Sequence, residues 1–213
     1  LLAPALTQRM TVTEASAQSV PPDTGEETIR SAVRACRAGD ADALRTVVEC
    51  HEQWILRLMT RFSHDPATVR ELAQDVFVQA WLSLSGYRET GDFGAWLRTV
   101  AVRTGYRHWR DQQQRRTRET PLTDEMRAAL AAPESAPLPE AASALHAVLD
   151  RLDPKDRLVV VLYYMEGQST RDIAVAAGWS HTLVRVRLHR ARARLRTMLK
   201  DAAGVPEEDL GHE

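Results

Sequence analysis

The residues best placed to do chemistry are arginines, and the chemistry is the gripping of a polyanion. From His181 to Lys200 the sequence HTLVRVRLHRARARLRTMLK holds six arginines and Lys200 with no acid. From Phe93 to Arg118 seven arginines stand against Asp111 alone. The guanidinium fork suits phosphate oxygens and guanine edges, so two such blocks read as two contacts on nucleic acid. Bond-making chemistry has no comparable set. His51-Glu52, His64-Asp65 and Asp75 match no ligand pair on one helix face, and Cys36, Cys50 and His51 show neither CxxC nor HxxxC spacing. The sequence also has no Gly-rich phosphate loop and no nucleophile motif. The expectation is a binding protein, not an enzyme, with no metal and no cofactor.

Between the basic blocks the charge reverses. The net charge of −1 conceals acidic stretches at 1–29, at 119–144 and in the tail 201–213, which has five acids and no base. Hydrophobic residues make up 44% and aromatics only 6% of 213 residues, which favours helices over a β-sandwich or barrel. No apolar run approaches the ~20 residues that cross a bilayer, and LLAPALTQRM lacks the pattern of a secretory signal. Because the sequence does not open on Met, Met10 is a candidate start and residues 1–9 an upstream extension. Two cysteines make no disulfide framework, so a cytoplasmic setting and buried helical cysteines are expected.

The elements that must position the arginines follow from caps and apolar spacing. A helix over 27–38 stops at Gly39, and Asp40 or Asp42 then caps a run with Leu44, Val47, Val48, Ile55, Leu58 and Met59 at helical intervals. Asp65-Pro66 restarts a helix whose stripe is Leu72, Val76, Phe77, Ala80, Trp81 and Leu84. GYRETGD breaks it, and a fourth helix from Phe93 to Arg118 buries Trp96, Leu97, Val100 and Ala101. Four prolines make 119–140 an extended acidic linker, with room for a short helix over Asp124–Ala131. Beyond it, Ser169 and Asp172 resemble a capping box, Gly178 ends a short helix, Trp179 plugs the corner and Ser180 caps the next helix. In that helix Val184, Leu188, Ala191, Leu195 and Met198 point inward, and Thr182, Arg185, Val186 and His189 form the opposite arc. A helix, a Gly-containing turn and a second helix with outward Arg, His and Thr near its start predict a helix-turn-helix.

The segment LDRLDPKDRLVVVLYYMEGQSTRDIAVAAGWSHTLVRVRLHRARARL resembles region 4 of bacterial RNA polymerase sigma factors of the extracytoplasmic-function (ECF) group. ELAQDVFVQAW (Glu71–Trp81) and FGAWLRTVA (Phe93–Ala101) resemble region 2 of the same group. The resemblance implies an all-α protein of two small domains. Residues 1–26 are a disordered extension, 27–118 form region 2, 119–140 the linker, 141–200 region 4 and 201–213 an acidic tail. It further implies that Glu71, Gln74 and Asp75 meet the β′ clamp helices of core polymerase. Tyr87, Arg88, Arg98, Arg103, Arg107, Trp109 and Arg110 would serve the −10 element, a flipped base being held at Gly86–Asp92. His181, Thr182, Arg185, Val186, Arg187, His189 and Arg190 would read the −35 element, with the β flap as a further polymerase contact and the linker entering the RNA path. An anti-sigma factor is the implied controlling partner. The chain departs from the family pattern in Ala101-Val102-Arg103, where Ala-Arg-Asn is common, in Arg107, where an Asp is usual, and in Leu183, which replaces a frequent Thr. The linker predicts loosely coupled halves, with a compact or heterogeneous free form and an extended form on polymerase.

Overall fold

A computed structural model describes residues 26–40, 42–88, 91–118 and 147–203. The N-terminal extension (to residue 25), the linker with its Asp124–Ala131 segment, and the tail beyond Ala203 lie outside the described residues. In the first half the described residues form four helices: α1 (Glu26–Arg37), α2 (Ala43–Met59), α3 (Pro66–Ser83) and α4 (Phe93–Arg118), with a 3-10 turn over Leu84–Gly86. Each break has a local cause. Gly39 takes φ 97, a left-handed conformation that glycine adopts at no steric cost. Asp40, not Asp42, caps α2, its Oδ1 accepting from the Asp42 and Ala43 amides at 2.9 and 3.3 Å. Asp65 accepts from the Thr68 amide at 2.9 Å and its hydroxyl at 2.6 Å, bonds that hold its carboxyl below the usual range. Asp92 starts α4 by accepting from the Gly94 and Ala95 amides at 3.0 Å each.

The apolar stripes meet as the spacing requires, with Val47, Ile55, Leu58, Met59, Leu72, Val76, Leu97 and Ala101 buried together. Leu44, Val48, Trp81, Trp96 and Val100 sit at the edge of this core, half-covered. Cys36 is buried and Cys50 partly so, both as free thiols, and burial pushes the Cys36 thiol up. Gly105 was not singled out by the sequence pattern, yet it lies where the Phe62 ring presses on α4. A Cβ there would stand 2.4 Å from ring carbons of Phe62. Trp109, one turn later on α4, packs on the same ring with centroids 4.5 Å apart, which holds the ring in place.

The second half holds α5 (Pro154–Val160), which runs into a π-helical turn at Val161–Met165, then α6 (Thr170–Ala177) and α7 (His181–Ala203). Asp153 caps α5 through the Lys155 amide at 2.9 Å. Leu158, Val161, Leu162, Ile173, Val184, Leu188 and Ala191 form its core. α7 extends three residues into the segment read as the acidic tail. The two halves touch: α4 packs against both α5 and α6.

Gly105→Ala should lower the free energy of unfolding by about 1–3 kcal/mol through overpacking. The opposing gain in helix propensity is only about 1 kcal/mol. Urea titration followed by circular dichroism measures the difference.

Candidate nucleic-acid and polymerase interfaces

The helix-turn-helix is assembled from its caps. Ser169 Oγ accepts from the Asp172 amide at 3.2 Å and donates to the Asp172 carboxylate at 2.6 Å, so the box closes through the hydroxyl. Gly178 takes φ 72, and its amide, with that of Trp179, satisfies the last carbonyls of α6. Ser180 Oγ accepts from the Leu183 amide at 3.2 Å. This geometry leaves His181, Thr182, Arg185, Val186, His189 and Arg190 exposed along α7, as the arc pattern implies. His181 Nε2 shares a hydrogen bond with the Thr170 hydroxyl at 2.8 Å, which ties the start of α7 to α6. Leu183 belongs with them: at 37% exposure, beside Val186 at 41%, it adds a second apolar side chain of the kind that meets thymine methyls.

Arg187 stands differently. Its guanidinium donates to the buried Asp156 carboxylate at 3.0 Å and lies 3.5 Å from Asp153, while Arg194 approaches Asp156 from two turns further along α7 at 3.5 Å. It is therefore a brace between α7 and α5, committed inward, and not a side chain on the reading face. Position alone, two residues after Arg185, could not reveal partners more than thirty residues upstream.

The −10 set is likewise divided. Arg88, Arg107 and Arg110 are exposed. Arg98 is half-buried, its guanidinium 5.0 Å over the Trp54 ring. Arg103 Nε donates to the Ala176 carbonyl of α6 at 3.3 Å. The two aromatic residues of the set are core residues. Tyr87 is 6% exposed, packs edge-on to Phe93 and donates its hydroxyl to the Gly91 carbonyl at 2.6 Å. Trp109 is 3% exposed and donates Nε1–H to the Phe62 carbonyl at 2.8 Å. Neither ring is presented to an incoming base in this conformation, because each satisfies its polar atom by turning inward.

On α3, Glu71, Gln74 and Asp75 are exposed on one face, while Leu72, Ala73, Val76 and Phe77 face the core. The same face continues into Val78 and Leu82, which are 46% and 67% exposed. The sequence reading missed these two. Their signal was spacing: Val78 follows Gln74 by four residues and Asp75 by three, and Leu82 follows Val78 by four, which places apolar side chains on a polar face. His51 serves structure: its Nδ1–H donates to the Val47 carbonyl at 3.0 Å, and burial lowers its pKa. Among the described residues no three His, Cys, Asp or Glu side chains converge on a metal position, and no helix is long and apolar enough to cross a membrane.

Comparison with known proteins gives the arrangement its family. The Sigma-70 region 2 family matches residues 47–115 and the Sigma-70, region 4 family matches residues 142–195. The chain belongs to the extracytoplasmic-function group of RNA polymerase sigma factors. It is 31% identical to the RNA polymerase sigma-E factor of Streptomyces avermitilis, over 80% of this chain and 95% of that one. It is 24% identical to the ECF RNA polymerase sigma factor SigW of Bacillus subtilis, over 83% and 99%. A longer relative, the probable RNA polymerase sigma factor RfaY of Xanthomonas campestris, is 29% identical and is spanned over 42% of its length. The fold resembles that of the sigma factor RpoE of Bartonella quintana, solved with the anti-sigma factor NepR. That likeness has a TM-score of 0.51 at 20% identity, covering 73% of this chain and 96% of that one. As a sigma factor the protein is a transcription initiation factor with two DNA-binding domains, and the matched regions fall on the two described halves.

Asp156→Ala would remove the 3.0 Å partner of the half-buried Arg187 and leave it only Asp153 at 3.5 Å. Breaking a buried pair in this way costs about 3–5 kcal/mol, so the variant should show a lowered melting temperature and loss of the α7 brace. Arg187→Ala should destabilise similarly. Both are checked by thermal melting of the full chain.

Proposed function

We propose that this sigma factor divides its contacts among three surfaces: α3 for polymerase, α4 with the preceding loop for the −10 strand, and the N-terminal half of α7 for the −35 duplex. The observation that carries this reading is the separation of chemistry on exposed faces. α3 offers acids beside Val78 and Leu82, a mixed patch suited to a protein partner. α7 offers Arg185, Arg190, Thr182 and His189 beside Leu183 and Val186, a patch suited to base edges, methyl groups and phosphates.

On this assignment Glu71, Gln74 and Asp75 engage the β′ clamp helices and the second half meets the β flap. Thr182, Arg185, Val186 and His189 read bases, with His181 and Arg190 at phosphates. Arg88, Arg98, Arg103, Arg107 and Arg110 line the path of the −10 strand. Tyr87 and Trp109 support that surface from beneath. The protein acts without catalysis of its own, in the cytoplasm, by lending polymerase its promoter specificity. An anti-sigma factor is the proposed controlling partner, in keeping with the complex named for the Bartonella relative.

Charge reversal at Glu71 and Asp75 should abolish association with core polymerase while helical content stays at the wild-type level. Full association of the folded double variant in a pull-down would remove α3 from the interface. At the other end of the chain, Arg185→Ala should cost about 5- to 150-fold in promoter affinity at a single −35 position, corresponding to about 1–3 kcal/mol. Arg190→Ala should weaken all sequences alike and flatten the salt dependence. In-vitro transcription over a promoter library distinguishes the two patterns.

A further inference from the structure

Beside the C-terminal part of α4 the surface dips into a cavity of about 200 Å³. Trp109, Gln112, Gln113 and Arg116, one face of α4 at helical intervals, form one wall, and Asp150 and Arg157 bring charge to the other. None of the exposed residues assigned above to polymerase or promoter lines it. The walls are rich in donors. Gln112 and Gln113 offer side-chain amides and Arg116 an exposed guanidinium. The Arg157 side chain is only 11% exposed; it pairs with Asp150 and lies 4.1 Å over the Trp109 ring. Its Nε is nonetheless buried with no hydrogen-bond partner among the described residues. A buried charged donor left unmet is costly, and an acceptor removes that cost. The charge balance points the same way. Asp150 offsets one guanidinium, and among the described residues no carboxylate lies within ion-pair distance of Arg116. One positive charge on the walls therefore stays uncompensated. Nearby groups respond to it. Burial lowers the Arg157 pKa, and the Arg116 charge adds to that fall while Asp150 opposes it. Burial and then Arg157 lower the pKa of His64, and burial, Arg115 and Arg157 lower that of His108.

We propose that this cavity is a binding site for a small free oxyanion of the phosphate class, with Arg116 and Arg157 as its charged donors and the Gln112 and Gln113 amides as its neutral ones. Guanidinium forks match the oxygen spacing of such an ion, and each hydrogen bond to it is charge-assisted. The size is selective. The cavity is smaller than the ~300–1,000 Å³ clefts that take drug-sized ligands, so it suits a compact ion and not a whole nucleotide. The walls also reject other occupants. An apolar molecule would strip water from Arg116 and still leave the Arg157 Nε unmet. A metal cation would meet a net positive surface with a single carboxylate that is already paired. The ion would touch α4 on one side and Arg157 of α5 on the other. The inference stands apart from the sigma assignment, because it uses no residue placed at the promoter reading face or on the α3 stripe.

The test uses the full chain and inorganic phosphate, titrated by calorimetry with ionic strength held constant by sodium chloride. The wild type should bind one phosphate saturably, in the millimolar range or tighter, and its melting temperature should rise with phosphate. Arg116→Gln and Gln113→Glu change exposed side chains of α4, so both should stay folded, which circular dichroism checks. Each should weaken phosphate binding by about fivefold or more and remove most of the thermal shift. Arg45→Gln deletes an exposed arginine on α2 that does not line the cavity. It should change the affinity by less than about twofold, because a distant exposed charge is screened. Equal weakening by Arg45→Gln would mean diffuse attraction to a basic surface and would overturn the site. A wild type with no saturable binding would overturn it too. One rival occupant is the chain itself, since Glu119, Asp124 and Glu125 follow α4 closely in the sequence. Neutralising all three, as Glu119→Gln, Asp124→Asn and Glu125→Gln, should leave the affinity within about twofold of the wild type. If phosphate binds only once those acids are neutral, the chain's own carboxylates hold the cavity and the proposal falls.

Discussion

Trp109 holds the two halves of this protein in one register. Its ring packs on Phe62, its Nε1–H donates to the Phe62 carbonyl, and the ring also receives Arg157 from the second half. The contact demands a glycine one turn earlier on α4, because the Phe62 ring occupies the space a side chain at 105 would take. Phe62 follows immediately on the end of α2, so the same cluster fixes where α2 stops and how α4 crosses it. α4 is thus both a core helix and a docking rail. Its Leu97, Ala101 and Val102 close the first domain, and a neighbouring face receives the second.

Arginine does two kinds of work here, and surroundings decide which. Arg157 and Arg187 are drawn inward beside Asp150 and Asp156. Burial lowers the Arg157 pKa while Asp150 works against that shift. A guanidinium is weakly hydrated and flat, so it stacks and pairs where an ammonium would resist desolvation. Arg185 and Arg190 sit on the exposed side of α7 and keep their forks available to a polyanion. The same residue type therefore serves both the interior contacts and the exposed face of α7, which is consistent with a basic inventory of 28 residues that includes only Lys155 and Lys200 as lysines.

Much of the fold was legible because its signals are local. Asp65-Pro66, Ser169, Gly178 and Ser180 act within four residues of themselves, and a cap or left-handed turn has the same meaning in a sequence as in a structure. The apolar intervals of α3 and α7 were legible for the same reason. What escaped was set by partners remote in sequence. Trp109 turns inward to a carbonyl at Phe62, Arg187 to carboxylates on α5, and Tyr87 to a loop carbonyl that requires the 3-10 turn to place it. Aromatic and guanidinium groups suit DNA as well as a protein interior, so type and spacing could not separate the two uses. Gly105 was invisible because a mid-helix glycine carries no pattern of its own. Its reason is the ring of Phe62. The coupling between the halves was under-read in the same way: a Pro-rich linker says that the chain permits separation, but not that complementary faces will find each other.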